Sequence, residues 1–402
     1  MRDTDLFKLA LGVDDPWYVK SIDFEEKEKR IDIHIDFKKG DHFTCPKCKN
    51  ECSVHDTVQK TWRHLSFFQY EAFIHARVPR TKCKTHNVLL VKTPWARNDS
   101  GFTLLFEAMA MILVKEMPVL AVARILNVSD KKLWRLLIYY VNKGIERQNL
   151  SDIDMIGVDE TASKRGHNYV STFVDLKIRK VVFATKGKDN SVFKRFKTHL
   201  IKKKGFPEHI SDISCDMSSA FIKGAKENFP NAQITFDRFH IMKIINNAVD
   251  QVRREEQVNN PFLKNSRYFW LKNPENVGKK GIAFFRDLND ENLKTAKAYQ
   301  MKLSFRNIFS QDTKNGIDNI LEWIQFALDS GIKPMQDAAR TIRSHFGGII
   351  RWFESQINNA VLEGLNSVIQ AAKSKAKGYK NTNYFIAIIY LIGGNLDFKL
   401  PT

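Results

Sequence analysis

Two short turns constrain this chain more than anything else in it. Cys45-x2-Cys48 and Cys83-x2-His86 each carry two metal donors, and 34 residues separate the pairs. Thiolate and imidazole groups so spaced converge on one tetrahedral zinc ion only if the intervening chain returns on itself. The segment "WRHLSFFQYEAFIHARVPR" allows this, because it reads as two strand-like runs broken near Gln69. Bound metal then contributes folding energy to a small strand-rich unit. Cys52 and His55 are close enough in sequence to replace a ligand, and four unrelated surface residues are the plain alternative. Cys215 lies in an apolar strand pattern and is expected to be buried. Five cysteines in 402 residues do not form a disulfide framework.

Periodicity divides the rest. In "RIDIHIDF" the alternation sets Ile31, Ile33 and Ile35 on one face of a strand. From 102 to 141 the period becomes helical, and three helices fit, with "LNVS" turning between the second and third. Ser129 suits the N-cap of the third helix. Leu133, Leu136, Leu137 and Tyr140 give it a buried face, while Lys131, Lys132 and Arg135 fall elsewhere and could meet phosphates or base edges. A helix-turn-helix and a plain packing subdomain both fit this pattern. Beyond Met155 strands return in "MIGVDE", "YVSTFVDL" and "KVVFATKG". A basic helix follows, "SVFKRFKTHLIKKKG", then strand, helix and strand in "ISDISCDM", "SSAFIKGAKENFP" and "AQITFD". The fold class is α/β. Everything after Arg238 reads as helical, including a charged, weakly patterned stretch from 250 to 340.

Sixty-four Lys and Arg against 45 Asp and Glu leave a net charge of +19. That excess favours a polyanion, since each neutralised phosphate releases counterions. Anionic membrane is the competing partner, but no polybasic amphipathic helix suited to it stands out. The apolar run "YFIAIIYLIGG" has about half the length a bilayer requires. The acidic N-terminus lacks a secretory pattern. A cytoplasmic protein in a reducing compartment is expected.

Two acids close apolar strands, Asp159 in "MIGVD" and Asp216 in "ISDISCD". If those strands are parallel neighbours, both carboxylates emerge at one end of the sheet, where hard oxygen donors can hold magnesium. The third candidate is Glu363 in "NAVLEGLNSVIQAAKSKAKG". Helical spacing puts Glu363, Asn366, Gln370 and Lys373 on one stripe and Leu362, Leu365, Ile369 and Ala372 on another. Lys373, Lys375 and Lys377 would then lie along a DNA backbone. Asp237 and Glu160 are rivals for a metal role, and Glu363 also fits a first-turn acid favoured by the helix dipole.

These residues carry a resemblance. "CPKC", "CKTH", "PWARNDSGFTLLFE", "VDETASKRGHNYVSTFVD", "SCDMSSAF", "ITFDRFHIMKIINNAVDQVRRE" and "NAVLEGLNSVIQAAKSKAKGY" occur in the order seen in bacterial insertion-sequence DDE transposases of the family called ISL-three. The chain resembles that family over nearly its whole length. The resemblance implies a ribonuclease-H-like catalytic core with a helical insertion before its last acid. It maps the catalytic acids to Asp159, Asp216 and Glu363, with gaps of 57 and 147 residues. It implies three domains: 1–98 zinc-binding and β-rich, 99–150 helix-turn-helix, and 151–402 catalytic with the insertion at about 250–345. The first two would recognise terminal inverted repeats. One departure is the histidine in Cys83-x2-His86, where some relatives use cysteine. The expected chemistry is two-metal cleavage and strand transfer with Mg2+, Mn2+ substituting. Asp159 bridges both ions, and no Ser or Tyr nucleophile is needed. His167 either contacts DNA or caps a turn. Pairing two DNA ends implies at least a homodimer, nucleoid-associated. The alternative is a catalytically inactive, sequence-specific DNA-binding protein derived from a transposase; a ribonuclease or resolvase on the same core is a third reading.

Overall fold

The computed structural model describes residues 2–164, 166, 168–288, 293–357 and 360–400. The expectation for His167 lies outside the described residues. The chain forms two compact units, one reaching to Tyr140 with the stretch from Asp397 added, the other Val141–Leu396.

The first unit begins with α1 (Asp3–Ala10), a helix the sequence pattern did not announce, and continues with β1 (Trp17–Glu25), β2 (Arg30–Phe37), β3 (His42–Thr44), β4 (Glu51–Arg63), β5 (Glu71–Cys83) and β6 (Asn87–Leu90). The strands join in the order β1-β2-β5-β4-β3, with β6 also on β5. Side chains alternate between faces of a strand, so Ile31, Ile33, Ile35 and Phe37 all point into a core with Ala72, Ile74, Ala76 and Val78 of β5. Trp95 closes that core, edge-on to Trp17 at 5.0 Å and Trp62 at 5.8 Å. β4 and β5 form a hairpin, pairing antiparallel from Val54↔Thr81 to Arg63↔Phe73. Its second strand is the expected one, but the first is Glu51–Arg63, and of the run expected from Trp62 to Gln69 only Trp62 and Arg63 are in it.

Three helices follow, α2 (Leu104–Glu116), α3 (Val119–Ile125) and α4 (Asp130–Glu146). Thr103 caps α2 through the Phe106 N–H. Between α3 and α4, Asn127 takes the left-handed conformation with φ 51°, which Asn tolerates better than most residues. The expected face of α4 is buried: Leu133, Leu136, Leu137 and Tyr140 are all in the core.

The second unit is built on β7 (Met155–Lys164), β8 (Asn168–Asp175) and β9 (Lys180–Lys186), then α5 (Ser191–Lys202), β10 (Asp212–Cys215), α6 (Ser219–Asn228) and β11 (Gln233–Phe236). The sheet order is β11-β10-β7-β8-β9. β7, β8 and β9 run antiparallel in succession, whereas β10 is parallel to β7 and β11 to β10. Ile156 and Val158 face Phe173, Phe193 and Phe196, so α5 and α6 cover that side. Cys215 is buried in the same core, as expected.

The helical remainder comprises α7 (Arg238–Glu256), α8 (Arg267–Leu271), α9 (Lys279–Arg286), α10 (Lys294–Ile308), α11 (Thr313–Asp329), α12 (Lys333–Ser344), α13 (Phe346–Ser355), α14 (Ala360–Lys375) and α15 (Thr382–Gly393). The weak pattern between 250 and 340 conceals an aromatic core of Trp270, Phe305 and Trp323. Within it the buried Lys302 ammonium donates to the carbonyls of Trp270, Leu271 and Lys272, which end α8. Opposite α5, the second sheet face is covered by α14 and α15. Leu362 approaches so closely that a Cβ on Gly157 would meet it at 2.8 Å. The apolar C-terminal run is α15, a core helix whose Tyr390 hydroxyl accepts from the Ala184 N–H of β9 at 3.1 Å. Among the described residues no helix is long and apolar enough to cross a membrane.

Candidate metal centre and active site

Cys45 and Cys48 follow β3, and Cys83 and His86 lie in the turn between β5 and β6, so the β4–β5 hairpin brings both pairs to one end of the sheet. Their donor atoms all lie within 4.8 Å of one another. Cys48 Sγ is 3.6 Å from Cys83 Sγ, and His86 Nδ1 is 3.8 Å from Cys45 Sγ and 3.7 Å from Cys83 Sγ. A tetrahedron with zinc–sulfur bonds of about 2.3 Å has edges of about 3.8 Å, so the donors already stand at ligand separations. The cysteines are free thiols, and the Thr85 and His86 amides hold the Cys83 thiol down at about 7, toward the thiolate that metal requires. Cys52 packs beside this group and gives its S–H to the Asn50 carbonyl. Neither Cys52 nor the exposed His55 belongs to the donor set.

On α4 the Ser129 carbonyl accepts from the Lys132 and Leu133 amides, which places Ser129 at the helix start. Lys131, Lys132 and Arg135 are exposed together on the first half of the helix. The helix is pinned from below by Glu107. That carboxylate is wholly buried, ion-paired with Arg97 at 2.8 Å and hydrogen-bonded by the Ser100 and Tyr140 hydroxyls. Arg97 lies flat on Tyr139 at 4.0 Å. The motif "PWARNDSGFTLLFE" thus supplies both halves of a buried ion pair.

In the second unit the acids gather at one edge of the sheet. β7 and β10 pair with an offset of 57 residues, and the same offset carries Asp159 to Asp216. β10 and β11 pair with an offset of 21, which carries Asp216 on to Asp237. Asp216 and Asp237 directly follow β10 and β11. Asp159 does not close its strand as expected: β7 runs on to Lys164, because it stays paired with β8. The register aligns the three acids where β10 and β11 end. Asp237 N-caps α7 through the Phe239 amide, and His240 Nε2 stands 3.9 Å from it. Asp237 was a rival in the sequence; His240 had gone unnoticed, although "FDRFH" sets it one helical turn from a strand-closing acid.

Glu363 lies in the first turn of α14, exposed, on a cleft of about 380 Å³ that Asp237, Arg238, Phe239 and Trp352 also line. The rest of its stripe lies along β7. Asn366 donates its amide to Asp159 Oδ2, Gln370 donates to the Thr161 hydroxyl, and the Lys373 ammonium donates to the Ala162 carbonyl at 2.6 Å. Lys373 is thus engaged inside the unit, while Lys375 and Lys377 are exposed at the helix end. The oxygens of Asp159, Asp216 and Glu363 do not all come within 4.8 Å of one another, as the zinc donors do.

The electrostatics single out Asp159. Burial pushes its carboxyl up to about 6; the Glu160 amide and His240 pull the other way, and Asp237 and Asp216 add to the rise. No lysine or arginine pairs with it among the described residues. Glu160 is raised as well, chiefly by burial, against the pull of Lys188 at 3.7 Å. A row of hard oxygen donors, largely removed from water and without a cation, fits a divalent ion.

Three family models match the chain. One, described as "Transposase" and belonging to the ISL3 set of DDE domains, covers residues 156–389. A second, the helix-turn-helix domain of transposase family ISL3, covers 91–141. The third, a zinc finger of transposases of IS204, IS1001, IS1096 and IS1165, covers 41–86. The transposase for insertion sequence element IS1557 of Mycobacterium tuberculosis is 25% identical over 434 residues, spanning 97% of this chain and 96% of that protein. The transposase for insertion sequence element IS1001 of Bordetella parapertussis is 24% identical over 352 residues, with 85% and 86% covered.

Proposed function

The chain belongs to the ISL3 family of insertion-sequence transposases, and from that premise we propose that it cuts and joins DNA at the edge formed by Asp159, Asp216 and Glu363. The observation that carries this reading is the strand register, which sets Asp216 beside Asp159 on parallel neighbours. The order of three antiparallel strands followed by two parallel ones supports a ribonuclease-H-like core, with α7 to α13 as the insertion before Glu363.

Asp159, Asp216 and Glu363 would hold the magnesium ions, or Mn2+ in their place. Bound there, the ions would activate the attacking oxygen and neutralise the leaving one. The chain's own residues do the positioning. Asn366 holds Asp159 Oδ2 and the Glu160 amide holds Oδ1 at 2.7 Å, which fixes the carboxylate plane while leaving lone pairs open. In the first reaction water displaces the 3′-oxygen at the element end. In the second, the freed 3′-hydroxyl attacks a target phosphodiester, joins its phosphorus and expels the target strand's own 3′-oxygen as a hydroxyl, with no covalent protein intermediate.

Up to about residue 98 the chain would form the zinc unit, and 99–150 the DNA reader, which together recognise the terminal inverted repeats. Lys131, Lys132 and Arg135 enter the major groove or its phosphates. Lys375 and Lys377 extend the contact beside the catalytic edge. Two copies at least would pair the two ends. The test is cleavage of a duplex carrying the inverted repeats by the zinc-loaded protein, with Mg2+ and then with Mg2+ withheld. Cutting that stops without Mg2+ and in Asp159→Asn, Asp216→Asn and Glu363→Gln supports the reading. Binding without cutting, or cutting by those variants at the wild-type rate, overturns it.

A further inference from the structure

The stretch from Lys186 to Lys204 holds eight Lys and Arg and one acid, a net of +7 of the chain's +19 in 19 of 402 residues. It contains α5, whose Val192, Phe193, Phe196 and Leu200 are wholly buried against the sheet. The remaining surface of the helix carries only one sign of charge. Lys194, Arg195 and Lys202 are exposed, with Lys197 half-exposed at their flank. The lone acid, Asp189, precedes the helix and accepts the Ser191 amide at 2.9 Å at its start. Arg195 reaches back to the Ser191 hydroxyl and the Lys186 carbonyl. Lys194, Lys197, Lys202 and Lys204 form no ion pair among the described residues.

An ordinary solvated helix face mixes signs, because like charges one turn apart repel. A face of one sign persists where a polyanion relieves the repulsion. A membrane surface would need the apolar side of the helix as well, and here that side is buried in the core. The cations also begin at the catalytic edge. β9 ends beside β8 and β7 at the rim, and Lys188 lies 3.7 Å from Glu160. From Lys194 to Lys202 the helix rises about 12 Å, roughly three to four phosphates along one strand.

We propose that the outer face of α5, through Lys194, Lys197 and Lys202 with Lys204, is a second duplex-DNA backbone site, separate from the helix-turn-helix, leading away from the catalytic edge. Its contacts are to phosphates, so it binds without regard to sequence. Only its relation to cutting rests on the function proposed above.

The experiment measures binding of the full-length, zinc-loaded protein, with no magnesium or manganese added, to a short duplex lacking the inverted repeats, between about 50 and 200 mM salt. Lys194→Gln, Lys197→Gln and Lys202→Gln together should lower the slope of log K against log salt by about 2.7 and weaken low-salt binding at least about tenfold. Circular dichroism and zinc content should be unchanged. A wild-type slope in the triple variant overturns the proposal. Lysine acetylation of the unmodified protein gives an independent reading. Duplex should protect these three lysines, and equal labelling with and without DNA overturns the site even if the variant misfolds. Because cutting is not read, a protein that binds along α5 yet never cleaves keeps this site and loses the catalytic reading. One that cleaves while the variant keeps its slope does the reverse.

Discussion

Glu107 and Asp159 are both carboxylates taken largely out of water, and the chain treats them in opposite ways. Glu107 receives a guanidinium and two hydroxyls, so its charge is matched inside the first unit. Asp159 receives two amide N–H groups and, among the described residues, no Lys or Arg, stands in register with Asp216 and Asp237, and holds its proton up to about 6. Burying an unmatched charge costs stability. Where a fold leaves such a charge beside two further acids, the arrangement suits a divalent cation. The metal groups repeat the contrast, since the zinc donors stand preassembled and the acids do not.

The largest expected effect sets the two metal groups against each other. A strong zinc chelator should melt the first unit, because structural zinc contributes many kcal/mol to small zinc-dependent domains. Withholding magnesium should leave the second unit folded. Calorimetry with metal analysis checks this, with about one zinc per chain expected and lost in Cys45→Ser. Unfolding of the catalytic unit on magnesium removal would break the contrast. Next, Asp159→Asn should slow cleavage at least about a thousandfold, about 4 kcal/mol in the barrier, measured as single-turnover nicking. Glu107→Gln should act on stability instead. It leaves Arg97 without its charge, and the loss on breaking a buried pair is about 3–5 kcal/mol, read from the denaturation midpoint.

A smaller effect sharpens the same point through pH. The Asp159 carboxyl binds its proton more tightly folded, at about 6, than at the ordinary 3.8. The unfolded chain therefore carries fewer protons between those values, and metal-free stability falls as pH rises through that window, by on the order of 2–3 kcal/mol. With no magnesium added at neutral pH, Asp159→Asn should thus be more stable than wild type, with the advantage gone below about pH 4. An Asn variant less stable at neutral pH would contradict the strained charge. Arg135→Ala, last in size, should reduce DNA affinity by about 1–3 kcal/mol if it reads a base, or lower the salt slope by about 0.9 if it meets a phosphate.

Much of this is legible in the sequence. The two Cys and His pairs named their hairpin because metal geometry admits few alternatives. The α4 face was readable because a 3.6 period repeats over three turns. Strand-closing Asp159 and Asp216 were visible singly, yet their alignment depends on pairing between strands 57 residues apart, which no local pattern encodes. The same holds for Asp237, whose rank beside them comes from register alone. Asn366 and Gln370 sat on the expected stripe without a role, since side-chain partners across more than 200 residues are a tertiary matter. The aromatic core between 250 and 340 escaped because the charges on its helices mask the apolar spacing. α1 escaped because one buried residue, Phe7, makes no period.

The central claim is that Asp159, Asp216 and Glu363 share divalent ions at the end of the sheet. Crystals of the full chain with inverted-repeat DNA, soaked in Mn2+ and measured at the manganese absorption edge, test it most directly. The account predicts anomalous density touching oxygens of all three acids beside the scissile phosphate. Manganese held by Asp237 in place of Glu363, or no manganese at Asp159 under saturating metal, would contradict it.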